Sequence, residues 1–591
     1  MTDRSGPERW ARPTRRSALI FAAKAWGLRA RRAVADAGAA APRLVRSGYQ
    51  SDQTVLAQSS TPLWSDETVS ERVAQFGKVE NLRVAARALD GLVIPTGAKF
   101  SFWRQLGPPT TWRGFARGRM LQEGCLVAAV GGGLCQLSNA LYEIALQAGC
   151  EIAERHAHSQ IVPGSSAALG RDATVAWNYV DLRFVASRDL RLSVRLTRND
   201  LVVRFIADEG EGERAHQIEP PMMASPPPVA ARSCATCDEI DCFRHNRESH
   251  ATRSSDQRHV FLVDEAWPEF QRFVHESRTS TDRLGLPLDG ERLRLARYAW
   301  AVDGFDRVGD APIEALRRSH DLRRAGAQGA IRRQAEFNGS RRIAKALARL
   351  LTPEVTAVTV AQSYLPFLWR DSHLAGREVS VLMTSLPMAV LQSRLDVAAR
   401  VHPDRPTLAD FRAPTWVVEA EREALAQAAH IIAPHAEIAR LFQDRAIQLE
   451  WRTPQADRSP THRFSHRVAF PGPAVARKGA HVVRAVALAL NLELLLMGAE
   501  LEGSDFWRGV RTIRDVDWRT ARVMIQPALV EDQPRRLLAA LAAGIPVIAT
   551  AACGLANHPG LTLVPPDDEA ALTQALTAVL ALEPIGEAAI P

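Results

Sequence analysis

The apolar positions change their period along the chain. Between residues 70 and 98, Val73, Leu82, Ala85 and Leu89 read as one helix, followed by a short apolar run, Gly91-Leu-Val-Ile94, that Pro95 ends. From Cys135, the positions Leu137, Leu141, Ile144 and Ala148 recur three and four apart, which predicts an amphipathic helix. Residues 173–184 and 190–206 instead mix β-branched and aromatic side chains in partial alternation, predicting antiparallel strands. After residue 258 the texture changes again. The runs 260–263, 357–360, 378–382, 430–433, 492–497, 523–525 and 545–548 are short, apolar and followed by turns or helices, as in buried parallel sheets. The expected fold is therefore multi-domain: an α+β module, then two doubly wound, Rossmann-like α/β lobes.

The segments follow from this pattern. Residues 1–46 are a basic tail, 70–210 the α+β module, 258–445 a first α/β lobe and 446–591 a second. Between module and lobes, 211–257 holds the proline-rich Glu219-Pro-Pro-Met-Met-Ala-Ser-Pro-Pro-Pro228, a linker because proline fixes φ and removes a donor. A chain of 591 residues is too long for one core, at about 150 residues per domain.

Charge narrows the partners. The net +8 sits entirely in the tail, where residues 1–46 carry eleven Lys and Arg against three Asp and Glu, and the remaining 63 and 63 balance. A basic tail on a neutral body argues against nucleic acid, and none is expected. Leu19, Ala23, Trp26, Ala30 and Val34 share one face of a helix with Lys24, Arg31 and Arg32 roughly opposite. Such a helix suits peripheral contact with an anionic membrane surface; a leader, or a helix docked on its own protein, fits the same pattern. Thr14-Arg-Arg-Ser17 has twin arginines, but Lys24 and Arg29 cut short the apolar region a secretory peptide needs. The apolar stretch 482–501 is broken by Arg484, Asn491 and Glu493 and does not span a membrane. Seven cysteines, three clustered at 234–242 and four scattered, make no disulfide framework. The expected location is cytoplasmic, membrane-peripheral if the tail anchors.

Chemistry concentrates at Gly131-Gly-Gly-Leu-Cys135, where glycines permit a sharp turn and place Cys135 at a helix N-terminus. Unpaired N–H groups and the helix dipole there favour a thiolate. Cys135 can pair with His156 or His158 and with Asp172 or Asp181. His158, fourteen residues before Asp172, is the preferred base, giving a candidate catalytic set of Cys135, His158 and Asp172 for acyl transfer or hydrolysis. Cysteine is also among the most buried residue types, so a structural thiol is the alternative. After the linker, Cys234, Cys237, Cys242 and His245 have C-x2-C-x4-C-x2-H spacing, which suits a structural zinc ion; an iron–sulfur cluster or spare thiols are the alternatives.

Two resemblances add to this. Phe100-Ser-Phe-Trp103, Gly131-Gly-Gly-Leu-Cys-Gln136, Glu154-Arg-His156, His158-Ser159 and Asp172-Ala-Thr-Val175 resemble the VanW family over residues 70–205, a family named for an accessory protein of a vancomycin-resistance operon. The order of cysteine, histidine and aspartate resembles transglutaminase-like enzymes in pattern only. Further on, Arg477-Lys-Gly479, Gln526-Pro527, Glu531, Leu541-Ala-Ala-Gly-Ile-Pro-Val-Ile548 and Cys553-Gly554 resemble the donor lobe of retaining GT-B glycosyltransferases, and 420–442 is similar to the end of their acceptor lobe. That resemblance implies sugar transfer from a nucleotide-sugar donor to an acceptor, in cell-envelope or glycoconjugate metabolism. Arg477 and Lys478 would neutralise the diphosphate, with Glu531 and Gly554 also at the donor. The family's second glutamate, which holds the ribose, is replaced by Ala539, and Gly472-Pro473 stands for its Gly-Arg. The chain reads as a glycosyltransferase, a cysteine acyl enzyme, or a non-enzymatic scaffold with degenerate sites.

Overall fold

A computed structural model describes residues 13–581 except 40, 48–52, 65–68, 123–124, 159–171, 209–231, 234–241, 244–257, 327–328, 456–463 and 556. It divides into two compact units. Unit 1 comprises residues 1–258 with 351–356 and 371–378, and unit 2 the remainder.

Unit 1 runs α1 (Arg15–Ala39), β1 (Gln53–Pro62), α2 (Val69–Leu89), β2 (Val93–Ile94), β3 (Lys99–Ser101), α3 (Phe102–Leu106), β4 (Arg117–Gln122) and β5 (Cys125–Val130). It continues with α4 (Leu134–Gln147), β6 (Glu151–Glu154), β7 (Arg183–Val185), β8 (Leu190–Leu196), β9 (Asp200–Asp208) and β10 (Arg232–Ser233). The strands form a four-stranded sheet β1-β9-β8-β2 and two three-stranded sheets, β10-β5-β4 and β3-β7-β6. In the largest, Val55 opposes Ile206 and Val194 opposes Val203, all antiparallel, so the pleat brings Val194, Val203 and Phe205 into the core. α2 and α4 bury Leu82, Leu89, Leu137, Leu141 and Ile144 in that core. Residues 351–356 and 371–378 are pinned to unit 1 by two buried arginines. Arg83 donates to the carbonyls of Ala375 and Gly376, and Arg377 to those of Leu351, Thr352 and Val355, with Glu80 between their charges.

The stretch 173–182 departs from the strand that its composition predicts. It forms a turn closed by an Ala176–Val180 bridge, and pairing resumes at β7. Its backbone bonds go elsewhere, to α4 and to residue 156, which fixes the site below. The basic tail also takes a definite place. α1 docks on unit 1 with Arg32 forked onto Glu154, Asp36 on Arg183 at 2.9 Å, and Arg29 donating to the Trp177 carbonyl. Arg32 therefore faces the protein, not the polar side shared with Lys24 and Arg31. No helix among the described residues is long and apolar enough to cross a membrane.

Unit 2 holds two sheets. The first is β13-β12-β11-β14-β15-β16-β17, from β11 (Arg258–Leu262), β12 (Arg283–Leu286), β13 (Arg307–Asp310), β14 (Val355–Ala361), β15 (Glu378–Leu382), β16 (His430–Ala433) and β17 (Ala446–Gln448). The second is β20-β19-β18-β21-β22-β23, from β18 (Phe464–Phe470), β19 (Glu493–Leu496), β20 (Arg511–Ile513), β21 (Ala521–Gln526), β22 (Val547–Ala549) and β23 (Leu561–Leu563). Every pair of the second sheet is parallel, and helices cross between its strands. β21 is buried along its whole length, the mark of a strand covered on both faces. These are the two Rossmann-like lobes. In the second, the strand order reverses between β18 and β21, so the crevice beyond their carboxyl ends is where such a sheet takes its ligand.

Candidate functional site

In unit 1 the site begins with the glycine turn. Gly131 and Gly133 have φ of +79° and +93°, and a Cβ on Gly132 would lie 2.2 Å from the Gly118 carbonyl. A Cβ on Gly133 would meet the Lys78 stem equally closely. Buried Asn81 ties the turn down, donating to Gly132 O at 2.8 Å and Ala116 O while accepting from Ala116 N. The helix then starts at Leu134, so Cys135 lies in its first turn, half-buried and not in a disulfide.

One turn on, the buried side chains Ser138 and Asn139 clamp the next segment. Ser138 Oγ donates to Ala173 O at 2.5 Å, and Asn139 Oδ1 accepts from Ala173 N at 2.8 Å. Thr174 N bonds the His156 carbonyl, and Arg155 Nε the Asp172 carbonyl. So 172–175 lies between α4 and 154–158, with Thr174 Oγ1 at 3.5 Å and Val175 O at 3.7 Å from the Cys135 sulfur. Asp172 takes His158 by both handles. One carboxylate oxygen accepts the His158 backbone N–H and the other bonds Nδ1 at 2.5 Å. With Nδ1 on Asp172, Nε2 is the nitrogen left for the Cys135 sulfur, whose thiolate the imidazole favours by charge and hydrogen bonding.

The electrostatics follow. Burial opposes a charged thiolate, but the His158 hydrogen bond and charge outweigh it and hold the Cys135 thiol below its ordinary value. Burial likewise opposes an imidazolium, yet bonds to Asp172 and Cys135 raise His158 to about 10. His156 points away, exposed, with Nε2 on Glu154 at 3.2 Å. Asp181 is buried between Ser101, Trp103 N and Arg183. The structure thus gathers Cys135, His158 and Asp172 and leaves out both alternatives.

Unit 2 places the second set at the crevice between β18 and β21. Lys478 and Glu531 form an ion pair at 3.0 Å and help line a cavity of about 340 Å³ with Gly472, Gly498, Gln526 and Arg536. Burial resists the Glu531 charge, and Lys478 outweighs it, so the carboxyl lies below its usual range. Gly479 turns the chain at φ +86°, and its Cα sits so close to the Pro527 carbonyl that no side chain fits. Arg477 does not line this cavity. Its guanidinium stacks on Phe411 at 4.9 Å, with Arg333 on the same ring at 4.3 Å. Gly554 packs against the His435 ring, and His435 Nε2 bonds the Glu531 carbonyl at 3.0 Å. Arg535 is engaged by Glu269 through two bonds of 2.7 and 2.5 Å. Ala539 falls inside the helix Arg535–Ala542.

Of the four metal-ligand candidates, Cys242 is described, as a free thiol. Cys234, Cys237 and His245 lie outside the described residues, and no cluster of three or more His, Cys, Asp or Glu that would hold a metal occurs among the described ones.

Comparison with known proteins gives each site a family. Residues 77–206 match the family of VanW-like proteins, and 475–581 match glycosyl transferases group 1. The chain joins a VanW domain to a group 1 glycosyltransferase domain. The VanW domain is 31% identical over 162 residues to vancomycin B-type resistance protein VanW of Enterococcus faecalis, covering 26% of this chain and 58% of that protein. It is 31% identical over 169 residues to the uncharacterized protein YoaR of Bacillus subtilis, covering 28% and 55%. The chain therefore spans a little over half the length of these relatives. Among solved structures, sucrose-phosphate synthase from Thermosynechococcus elongatus aligns over 55% of this chain and 90% of its own at 17% identity and a TM-score of 0.36. WaaG, a glycosyltransferase of lipopolysaccharide biosynthesis, aligns over the same shares at 13% and 0.32.

Sequence reasoning named the cysteine, histidine and aspartate but missed Asn81, Ser138 and Asn139. The last two carried a signal. They follow Cys135 at three and four residues, a polar pair on the same face of an amphipathic helix.

Proposed function

We propose that the group 1 glycosyltransferase domain transfers a sugar from a nucleotide-sugar donor to an acceptor, in cell-envelope or glycoconjugate metabolism. The observation that carries this reading is Lys478, a cation directed into a cavity at the switch point of a parallel sheet. A diphosphate gains charge as it leaves, and a fixed cation aimed at it lowers the barrier. In this reading the donor phosphate takes the place of Glu531 as partner of Lys478, and Gly472 and Gly498 leave room for it. Arg477 contributes only by leaving Phe411. With Ala539 at the ribose position, affinity rests on the phosphate more than on the sugar of the nucleoside.

Thermal shift with UDP, GDP and ADP and their hexose conjugates tests the reading. Binding at a hundredfold excess over Kd adds about 2.7 kcal/mol to stability. One nucleotide should shift the melting of the full chain and lose that effect in Lys478→Ala. No shift with any of them would remove the reading.

A further inference from the structure

Three observations converge on the first turn of α4. Cys135 is half-buried, and its sulfur is within reach of the His158 imidazole. Asp172 holds that imidazole by ring and backbone together. The segment carrying Asp172 is itself clamped to the cysteine helix by Ser138 and Asn139. Among the described residues, the buried thiols Cys150 and Cys553 have no such company. Burial pushes Cys150 up to about 11 and Cys553 up to about 12, as inert structural cysteines behave.

We propose that Cys135, His158 and Asp172 form a nucleophilic site that cleaves a peptide amide through a thioester on Cys135. This activity is independent of sugar transfer. The sulfur attacks the carbonyl carbon and forms the S–C bond, sending the carbonyl electron pair to oxygen. Gln136 N–H is taken by the Gly133 carbonyl at 3.1 Å, and the other N–H groups in the first turn of α4 can receive that oxyanion. The pair returns to restore the carbonyl, the C–N bond breaks, and the departing nitrogen takes the proton from His158 Nε2. An amine leaves only when protonated, so an imidazole kept cationic by Asp172 serves as its acid. Water then attacks the thioester while neutral His158 accepts one of its protons. The C–S bond breaks, the carboxylic acid departs, and the thiolate–imidazolium pair is restored. A primary amine in place of water gives transfer.

Asp172 acts as a positioning residue, fixing the tautomer so that Nε2 faces sulfur. Thr174 and Val175 close one side of the thiol, and Arg155, held on the Asp172 carbonyl, steadies the same segment.

The test uses the full chain. Iodoacetamide labelling of Cys135, followed by mass spectrometry of its peptide from pH 5 to 9, reads the thiolate directly. The rate should hold at pH 6, where an unperturbed thiol of pKa about 8.5 is only about 0.3% ionised. His158→Gln should cut that rate at least about tenfold. p-Nitrophenyl acetate should leave an acetyl group on Cys135 that hydroxylamine removes, and Cys135→Ala should not acquire it. A wild-type midpoint near 8.5, labelling only after unfolding, or no acetyl-thioester each overturns the proposal, whether or not the His158 variant folds.

Discussion

In unit 1 the reactive groups bond to one another; in the second lobe of unit 2 they bond to neighbours that occupy them. Cys135, His158 and Asp172 form a continuous line of contacts without any ligand. Lys478 is neutralised by Glu531, Arg477 lies on Phe411, and Arg535 is forked onto Glu269. The difference is what the two proposed chemistries would ask of the protein. A nucleophile and its base must be adjacent before substrate arrives. A phosphate site must keep its cations apart from bulk water and surrender them on binding, so internal carboxylates stand in for the anion. Preorganisation is visible in the first case and displaced in the second.

The contrast can be broken most forcefully at His158. His158→Gln should lower acylation of Cys135 by about 10²–10⁴-fold, the usual worth of a general acid–base, in stopped-flow release of p-nitrophenolate. The same change should leave nucleotide binding by unit 2 untouched. Next comes Lys478→Ala. Losing a charge-assisted contact of about 1.5–3 kcal/mol should weaken nucleoside-diphosphate binding roughly 10–150-fold by calorimetry. Unchanged affinity there would mean that Lys478 is committed to Glu531 and not to a ligand.

A smaller effect sharpens the comparison from the structural side. Asn139→Ala strands the buried Ala173 N–H, which should cost about 1–3 kcal/mol in urea unfolding. Because Asn139 positions 172–175, its loss should also move the Cys135 alkylation midpoint upward, and a purely structural role would leave that midpoint alone. The smallest effect belongs to α1. Arg32→Ala should cost only about 0.2–1 kcal/mol, since Glu154 keeps Arg183 at 3.5 Å and His156 at 3.2 Å.

How much of this was legible in the sequence differs between the units for the same reason. Several parallel strands of unit 2 are short apolar runs, and β15 and β16 fall where the hydrophobic pattern puts them, whereas β13, Arg-Val-Gly-Asp, carries no such run and was not foreseen. The glycines before Cys135 announced their turn, because only glycine fits Gly132 against Gly118. Residues 173–182 misled, since β-branched and aromatic residues suit any buried extended chain. What makes this chain a turn is its polar tether to Ser138 and Asn139, which lie thirty-five and thirty-four residues away. For the tail, a helix docked on its own protein was among the readings, and α1 docks. Its apolar face is exposed, with Leu19 and Trp26 both at 72%, but the opposite face is tied down by Arg29, Arg32 and Asp36. Partners that distant in sequence leave no periodic mark.

The most direct measurement is an NMR titration of the His158 ring nitrogens in the full chain. A folded pKa of about 10, above the ordinary imidazole value of about 6.5, means the stability drawn from this ring is whole below 6.5 and is lost as pH rises through 10. The lowered Cys135 thiol works in the opposite sense, contributing above its ordinary value and losing its contribution as pH falls through the depressed one. Imidazolium shifts should persist at pH 8 and give way at lower pH when Cys135 becomes Ser, because the thiolate charge has gone. A neutral ring at pH 8 with a midpoint near 6.5, unmoved by that substitution, would contradict it.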